Sequence, residues 1–384
     1  MIRIVDVRAT PVSVPLKKVA LMSAGAVNHT SRTIIEVETD NGIIGLGETA
    51  YGEMAQIVTG FRERILGLNP CEIGTVRRHC LPEHLDQGTP LLKMRLAAWG
   101  GIEIALWDIL GKILGLPLYK LLGGPVRPQA PFVAYAYTTA DPAEAPEFMA
   151  SLADELVSET GASLFEFKVA HHAVEVDIEI VNRVRSALAG RAGVAVDANR
   201  GWTIDQARSF LYGIERGCLK NLEEPTPSLA EAERLCGEFG VPISTHVTDL
   251  DVLAHHPRVE GVVPTLDVVG GIDVVRRLCS SLPILGRRCW LRSHMELGIG
   301  WAAMVHLGMA LPELDRPAQA LINLLESDLT LGPTWLVSYG GVRAPERPGL
   351  GVELDYNALI SYAEYYKEVG ECELWAPAFS SAAA

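Results

Sequence analysis

From about residue 130 the chain repeats one pattern. A short run of branched and aromatic residues is followed by a helical stretch, then by another such run. The runs fall at 131–137 (PFVAYAY), 164–169 (LFEFKV), 193–197 (GVAVD), 219–223 (LKNLE), 241–245 (VPIST), 259–263 (VEGVV), 289–294 (CWLRSH) and 319–324 (QALINL). Eight strands at intervals of roughly 20–35 residues, seven of them with helical connections, predict an α/β fold closed into a parallel barrel. A doubly wound open sheet is the alternative. No GxGxxG follows any of the strands, which weakens a dinucleotide-binding reading. Thr203 with Gln206, and Ser228 with Glu231, have the spacing of capping boxes and mark two helix starts.

The first 50 residues read differently. IRIVDVRATPVSV alternates as a strand, and SRTIIEVETDNGIIGLGE predicts a hairpin turning at Asp40-Asn41-Gly42. Between them KKVALMSAGAVNHT has no clear period and is expected to be an irregular loop, either inert or a lid. Residues 53–122 read as helical. GGIEIALWDILGKILGLPLYKLLGG is apolar all round, so its helix is expected to be buried.

Bulk properties narrow the function. The 384 residues are 48% hydrophobic, enough for a large core and about two domains, and the net charge is −14. There is no clustered basic face for nucleic acid. No apolar run approaches the ~18 residues of a membrane span, and MIRIVDVRATPV does not read as a signal peptide. Seven cysteines form no CxxC pair, which suits a reduced, cytoplasmic enzyme.

In a parallel barrel the chemistry sits where the strands end. Strand two, LFEFK, carries Glu166 and Lys168 on the face opposite Phe165, Phe167 and Val169, and buried charges are costly unless paired or used. Strand three ends at Asp197 and Asn199, strand four at Glu223, strand five at His246, strand six runs to Asp267, and strand seven ends at His294. Any one of these alone is more often a cap or a satisfied polar residue. Together, two carboxylates and an imidazole on three successive strands make a candidate divalent-metal site, flanked by Lys168 on one side and by Asp267 and His294 on the other.

With GIIGLGE, VDANRGW, LEEP, the SH of strand seven and the closing PGLGVELD, the sequence resembles the enolase superfamily in its mandelate racemase / muconate lactonizing enzyme branch, and most of all the glucarate dehydratase-type acid-sugar dehydratases. The resemblance covers nearly the whole chain. It implies a modified TIM (β/α)7β barrel at 126–349 with an α+β N-terminal capping domain at 1–125, completed by 350–384. It implies metal ligands at Asp197, Glu223 and His246, a lysine base at Lys168, a His–Asp dyad at His294 and Asp267, a polar neighbour at Asn199, and a lid at about 17–31. It also implies a small-molecule carboxylate substrate and a homo-oligomer. The family's shared step is removal of the proton α to a carboxylate, with a divalent cation, magnesium by resemblance, stabilising the enediolate. The expected reaction is then loss of water from an aldonate or aldarate. The alternatives are racemisation or epimerisation by two-base proton transfer, and a non-catalytic relative with an altered site.

Three positions depart from that pattern. Glu166 stands where the family has the first lysine of Lys-x-Lys. His246 stands where it has Glu, Asp or Asn, and an imidazole suits manganese or another metal better than magnesium. Asn323 is the best-aligned residue for the substrate-facing acid of strand eight. Arg292, two before His294 on the same strand face, is expected to point inward and offset Glu166, directly or through the substrate carboxylate. Tyr135, near strand one, is expected to help set specificity.

Overall fold

The computed structural model describes residues 2–82, 90–331 and 337–372. Strands β1 (Ile4–Met22), β2 (Gly25–Thr39) and β3 (Ile44–Ala50) form an antiparallel sheet. The β2–β3 turn falls where Asp40-Asn41-Gly42 predicts it, pairing Glu38 with Ile44, and Gly42 takes the positive φ of +81° that a tight turn asks of glycine. The segment expected to be an irregular loop is instead a second hairpin. β1 runs to Met22 and β2 starts at Gly25, with a register shift between Pro15 and Ala20. That shift breaks the period-two pattern, which is why the alternation was not legible there.

Helices α1 (Met54–Ile65), α2 (Ile73–Cys80), α3 (Pro90–Leu114) and α4 (Leu118–Leu121) follow. As its all-round apolar sequence predicts, α3 is buried along most of its length, with Trp99, Ile102 and Leu106 fully covered. It lies backbone to backbone on β3. A Cβ on Gly47 would sit 2.0 Å from the Gly101 carbonyl oxygen, and one on Gly45 2.2 Å from that of Ala105. The alternating glycines of GIIGLGE therefore permit this packing. Gly100, on the same helix, touches the barrel: its Cβ would meet the Asp267 carbonyl at 2.5 Å.

The barrel begins with the short strands β4 (Ala130–Pro131) and β5 (Ala134–Ala136). It continues through α5 (Ala145–Thr160), β6 (Leu164–Lys168), α6 (Val174–Leu188), β7 (Gly193–Asp197), α7 (Ile204–Gly213), β8 (Leu219–Glu223), α8 (Leu229–Phe239), β9 (Ile243–Thr245), α9 (Leu250–Ala254), β10 (Gly261–Val262), α10 (Ile272–Ser281), β11 (Arg288–Cys289) and α11 (Gly298–Ala310). Strands β5 to β11 pair in chain order as a seven-stranded parallel sheet. The eighth expected strand, 319–324, is mostly a 3₁₀ turn at Ile322–Leu324. Closure comes just before it: Ala318 exchanges backbone bonds with Pro131 and Val133, and the Gln319 N–H donates to Leu291. An α/β barrel with a preceding antiparallel domain is thus the fold. α12 (Tyr356–Val369) packs back on β1. The expected closing segment 350–384 extends past the described residues at 373.

Thr203 and Gln206 form the capping box predicted for α7. Ser228, expected to do the same for α8, makes no side-chain cap bond; its carbonyl instead accepts from the Thr226 hydroxyl. All seven cysteines are free thiols. No helix among the described residues is long and apolar enough to cross a membrane.

Candidate active site

The alternation of LFEFK is realised in β6. Phe165 and Phe167 join the apolar cluster beneath α5 and α6, so Glu166 and Lys168 face the barrel interior. Parallel register then sets one row across the barrel: Lys168 opposite Asp197, Asp197 opposite Glu223, Glu223 opposite Ser244. The Lys168 ammonium ion-pairs with Asp197 and donates to Asn199 Oδ1 at 2.5 Å. The Asn199 N–H donates to Asp197 Oδ1 at 2.8 Å. Asn199 takes a positive φ of +44° here, an uncommon conformation that asparagine tolerates better than most residues. Burial raises the carboxyl of Asp197, with the Lys168 charge opposing it, and burial likewise raises Glu223.

His246 lies beside Glu223 and bonds its Oε1 through Nε2 at 2.8 Å, while Arg292 Nη1 donates to its Nδ1 at 3.0 Å. Burial and then the Arg292 charge push the imidazole down to about 3, so it is neutral. Glu224, next to Glu223, turns to the other side. It ion-pairs with Arg200, and accepts from the Thr245 hydroxyl and the His246 N–H at 2.6 Å each, which pins the backbone carrying His246.

On the far side of the mouth, the Asp267 carboxylate accepts from Arg32 at 2.7 Å and from the Ala50 and Val268 N–H groups. Arg32 also donates to the His294 carbonyl at 3.3 Å and to Glu48 at 2.7 Å. One fully buried arginine of β2 therefore spans both members of the expected His–Asp dyad. The His294 ring meets Tyr51 edge-on, centroids 5.5 Å apart, and burial, Arg292 and Arg32 hold it well below the usual histidine range. Arg32 and Tyr51 were missed in the sequence: they lie on the hairpin domain, far from any strand end of the barrel.

Glu166 does not meet Arg292. Its carboxyl accepts from Gln319 Nε2 at 2.5 Å, and the same amide reaches Glu223 at 3.3 Å. Burial first, then the charges of Glu223 and Asp197, raise Glu166 well above the carboxylate range. The side chain contributed by strand eight is thus Gln319. Asn323, expected there, lies beyond it in the 3₁₀ turn, where its carbonyl accepts from Lys17 and it lines a cavity of about 670 Å³ with Leu21, Phe148 and Leu152. None of Lys168, Asp197, Glu223 or His294 lines that cavity, so it is a neighbour of the polar centre. Tyr135 and Tyr137 face inward, as Ala134 and Ala136 point to α5, and their buried hydroxyls have no hydrogen-bond partner. The hairpin at 17–31 reaches the rim, where Ser23 donates to the Asn199 carbonyl at 3.4 Å and Met22 accepts from His171.

Among the described residues no three His, Cys, Asp or Glu side chains gather as a metal cage. Asp197 and Glu223 suit a divalent cation in chemistry, being adjacent buried carboxylates.

Residues 148–358 match the Enolase C-terminal domain-like family, and residues 4–123 match the N-terminal domain of mandelate racemase / muconate lactonizing enzyme. A probable glucarate dehydratase of Streptomyces coelicolor is 27% identical, the match covering 86% of this chain and 84% of the relative. Muconate cycloisomerase 1 of Rhodococcus opacus is 28% identical, covering 94% and 98%. An enolase from Pseudomonas fluorescens, solved with bound magnesium, potassium and tartrate, superposes with a TM-score of 0.86 at 25% identity, covering 96% and 94%. The relatives include dehydratases, cycloisomerases and racemases, which indicates an enzyme. The chain belongs to the enolase superfamily, with both the N-terminal and the barrel domain of its mandelate racemase / muconate lactonizing enzyme branch.

Proposed function

We propose that the protein removes the proton α to the carboxylate of a small hydroxy acid and then expels a β-hydroxyl, as an acid-sugar dehydratase. The observation that carries this reading is the pair of proton-handling groups facing one mouth from strands two and seven, Lys168 against Asp197 and Asn199, and His294, whose backbone carbonyl accepts from the same Arg32 that pairs with Asp267. His294 is held neutral by burial and by two guanidinium charges, so it has a lone pair to accept a proton. Lys168, donating to two acceptors, is placed to deliver a proton on the other side. Burial around both groups strengthens every charge interaction in the mouth. A divalent cation held by Asp197 and Glu223, magnesium by relationship to the structures above, would stabilise the enediolate as a Lewis acid.

Two facing groups also suit one-for-one proton transfer at a single carbon, which is racemase or epimerase chemistry, and an N-succinyl-L-Arg/Lys racemase is among the relatives. Incubation of the protein with hydroxy acids in D₂O separates the readings. A 2-keto acid product supports dehydration. Deuterium at the α-carbon with an inverted product and no keto acid supports epimerisation. Neither product from a panel of C4–C6 sugar acids would refute both.

A further inference from the structure

The cations around the mouth are nearly all committed. Arg32 pairs with Glu48 and Asp267, Lys168 with Asp197, and Arg200 with Glu224. The lid lysines turn aside, Lys17 to the Asn323 carbonyl and Lys18 over the Phe148 ring. Among the described residues Arg292 is in no ion pair. Its backbone N–H is fixed on the Pro264 carbonyl and its Nη1 donates to His246. A guanidinium has five N–H groups in a planar fork that matches a carboxylate, so most of its donor capacity faces the mouth unspent.

His246 is shaped by the same contact. A guanidinium can only donate, so His246 Nδ1 must accept; the ring proton is then on Nε2, which donates to Glu223 Oε1. Both ring nitrogens are used in a chain running Arg292 to His246 to Glu223. Ligation of a metal through Nε2 would require the proton on Nδ1, donor against donor at Arg292. Within electrostatic reach of Asp197 and Glu166, and lining the adjoining cavity, lie the Tyr135 and Tyr137 hydroxyls, buried and without partners, suited to sugar hydroxyls.

We propose that Arg292, oriented by His246, anchors the substrate carboxylate in place of the strand-two cation lost at Glu166. His246 is then a positioning residue and not a metal ligand. Of the described cations in no ion pair near the mouth, Lys17 and Lys18 are drawn to the adjoining cavity and Arg292 stays beside the carboxylates; with the acid side chain of Glu166 also there, the substrate class is a polyhydroxy monocarboxylate, an aldonate, and not a diacid. This rests on the carboxylate chemistry proposed above and narrows it.

The test is binding, measured by calorimetry with a panel of C4–C6 aldonates, the matching aldonamides and the matching aldarates, with Mn²⁺ affinity followed separately by electron paramagnetic resonance. The wild-type protein is expected to bind at least one aldonate about tenfold or more tightly than its amide, a charge-assisted contact's worth of discrimination. Arg292→Met should abolish that preference and Arg292→Lys keep part of it, with circular dichroism confirming both are folded. His246→Leu should weaken aldonate binding and lower Mn²⁺ affinity by no more than the about 10–100-fold typical of an outer-shell partner of Glu223, without abolishing it. The proposal is overturned if no aldonate is preferred over its amide or over the aldarate, if Arg292→Met retains the preference, or if His246→Leu loses Mn²⁺. Solvent exchange of the α-proton reports independently on the reaction. Exchange with an Arg292-indifferent preference sinks the anchor alone, and an Arg292-dependent preference without exchange sinks the reaction alone.

Discussion

Replacing Arg32 by methionine is the sharpest test of how the two domains build one site. The guanidinium is 1% exposed and bridges Glu48, Asp267 and the His294 carbonyl. Methionine fills much of the volume but strands two buried carboxylates. Breaking a buried pair by removing one partner costs about 3–5 kcal/mol. Both carboxylates keep backbone donors, Glu48 those of Leu297 and Gly300 at the start of α11, Asp267 those of Ala50 and Val268. The expected loss therefore sits at the lower end, about 3 kcal/mol. Urea unfolding at pH 7.5 measures it. The pH dependence has a definite sign. Burial raises Glu48 from 4.5 to about 7 even with Arg32 opposing, so its folded value lies above its unfolded one. Such a group contributes stability in full below pH 4.5 and loses it as pH rises through the folded value. Without Arg32 the folded value climbs further, so the deficit of the variant should be larger at pH 8.5 than at pH 5.5. A midpoint within about 1 kcal/mol of wild type, or equal deficits at the two pH values, would refute the reasoning.

Other outcomes follow from the same geometry. His294→Asn should slow α-proton exchange about 10²–10⁴-fold, read by mass spectrometry in D₂O, and Lys168→Ala should slow keto-acid formation by a similar factor, as expected for loss of a positioned base and of a positioned acid. His306 accepts from the Tyr119 N–H and bonds the Leu350 carbonyl, and burial holds it near pH 4, below its ordinary 6.5. Its contribution is present above pH 6.5 and lost as pH falls through about 4, so wild type should lose up to about 3 kcal/mol there and His306→Gln much less, by denaturant titration at pH 7.5 and 4.5. Gly47→Ala places a methyl 2.0 Å from a backbone oxygen that cannot step aside, and should cost about 3 kcal/mol by thermal unfolding.

The barrel and the row Lys168, Asp197, Glu223 could be read from the sequence because each residue ends a short apolar run, and parallel register brings successive strand ends together. Gln319 could not. It does not titrate, and its strand is reduced to the backbone bonds of Ala318 and Gln319, too short to show a period. The resemblance therefore settled on Asn323, four residues further on. Arg32 was hidden for the opposite reason. Along β2 every residue from Thr30 to Val37 is buried, so there is no alternation to single out a functional face, and its partner Asp267 lies 235 residues away.

Glu166 shows what sequence spacing conveys and what it withholds. Alternation alone puts it inside the barrel beside Lys168. Alternation does not say whether its charge is offset, and the expected partner, Arg292, is bonded to His246 instead. Three carboxylates of the mouth, Glu166, Asp197 and Glu223, lie within electrostatic reach of one another, and Lys168 is committed to Asp197. In such a cluster the least compensated member is pushed up furthest. Glu166, facing an amide where Asp197 faces an ammonium, is that member, which is consistent with its upward shift. Bonded to Gln319 and raised by burial and by its carboxylate neighbours, Glu166 is in no ion pair with Arg292 among the described residues. The substitution that at first reads as a reversal of charge on strand two thus leaves Arg292 free to meet an anion from outside.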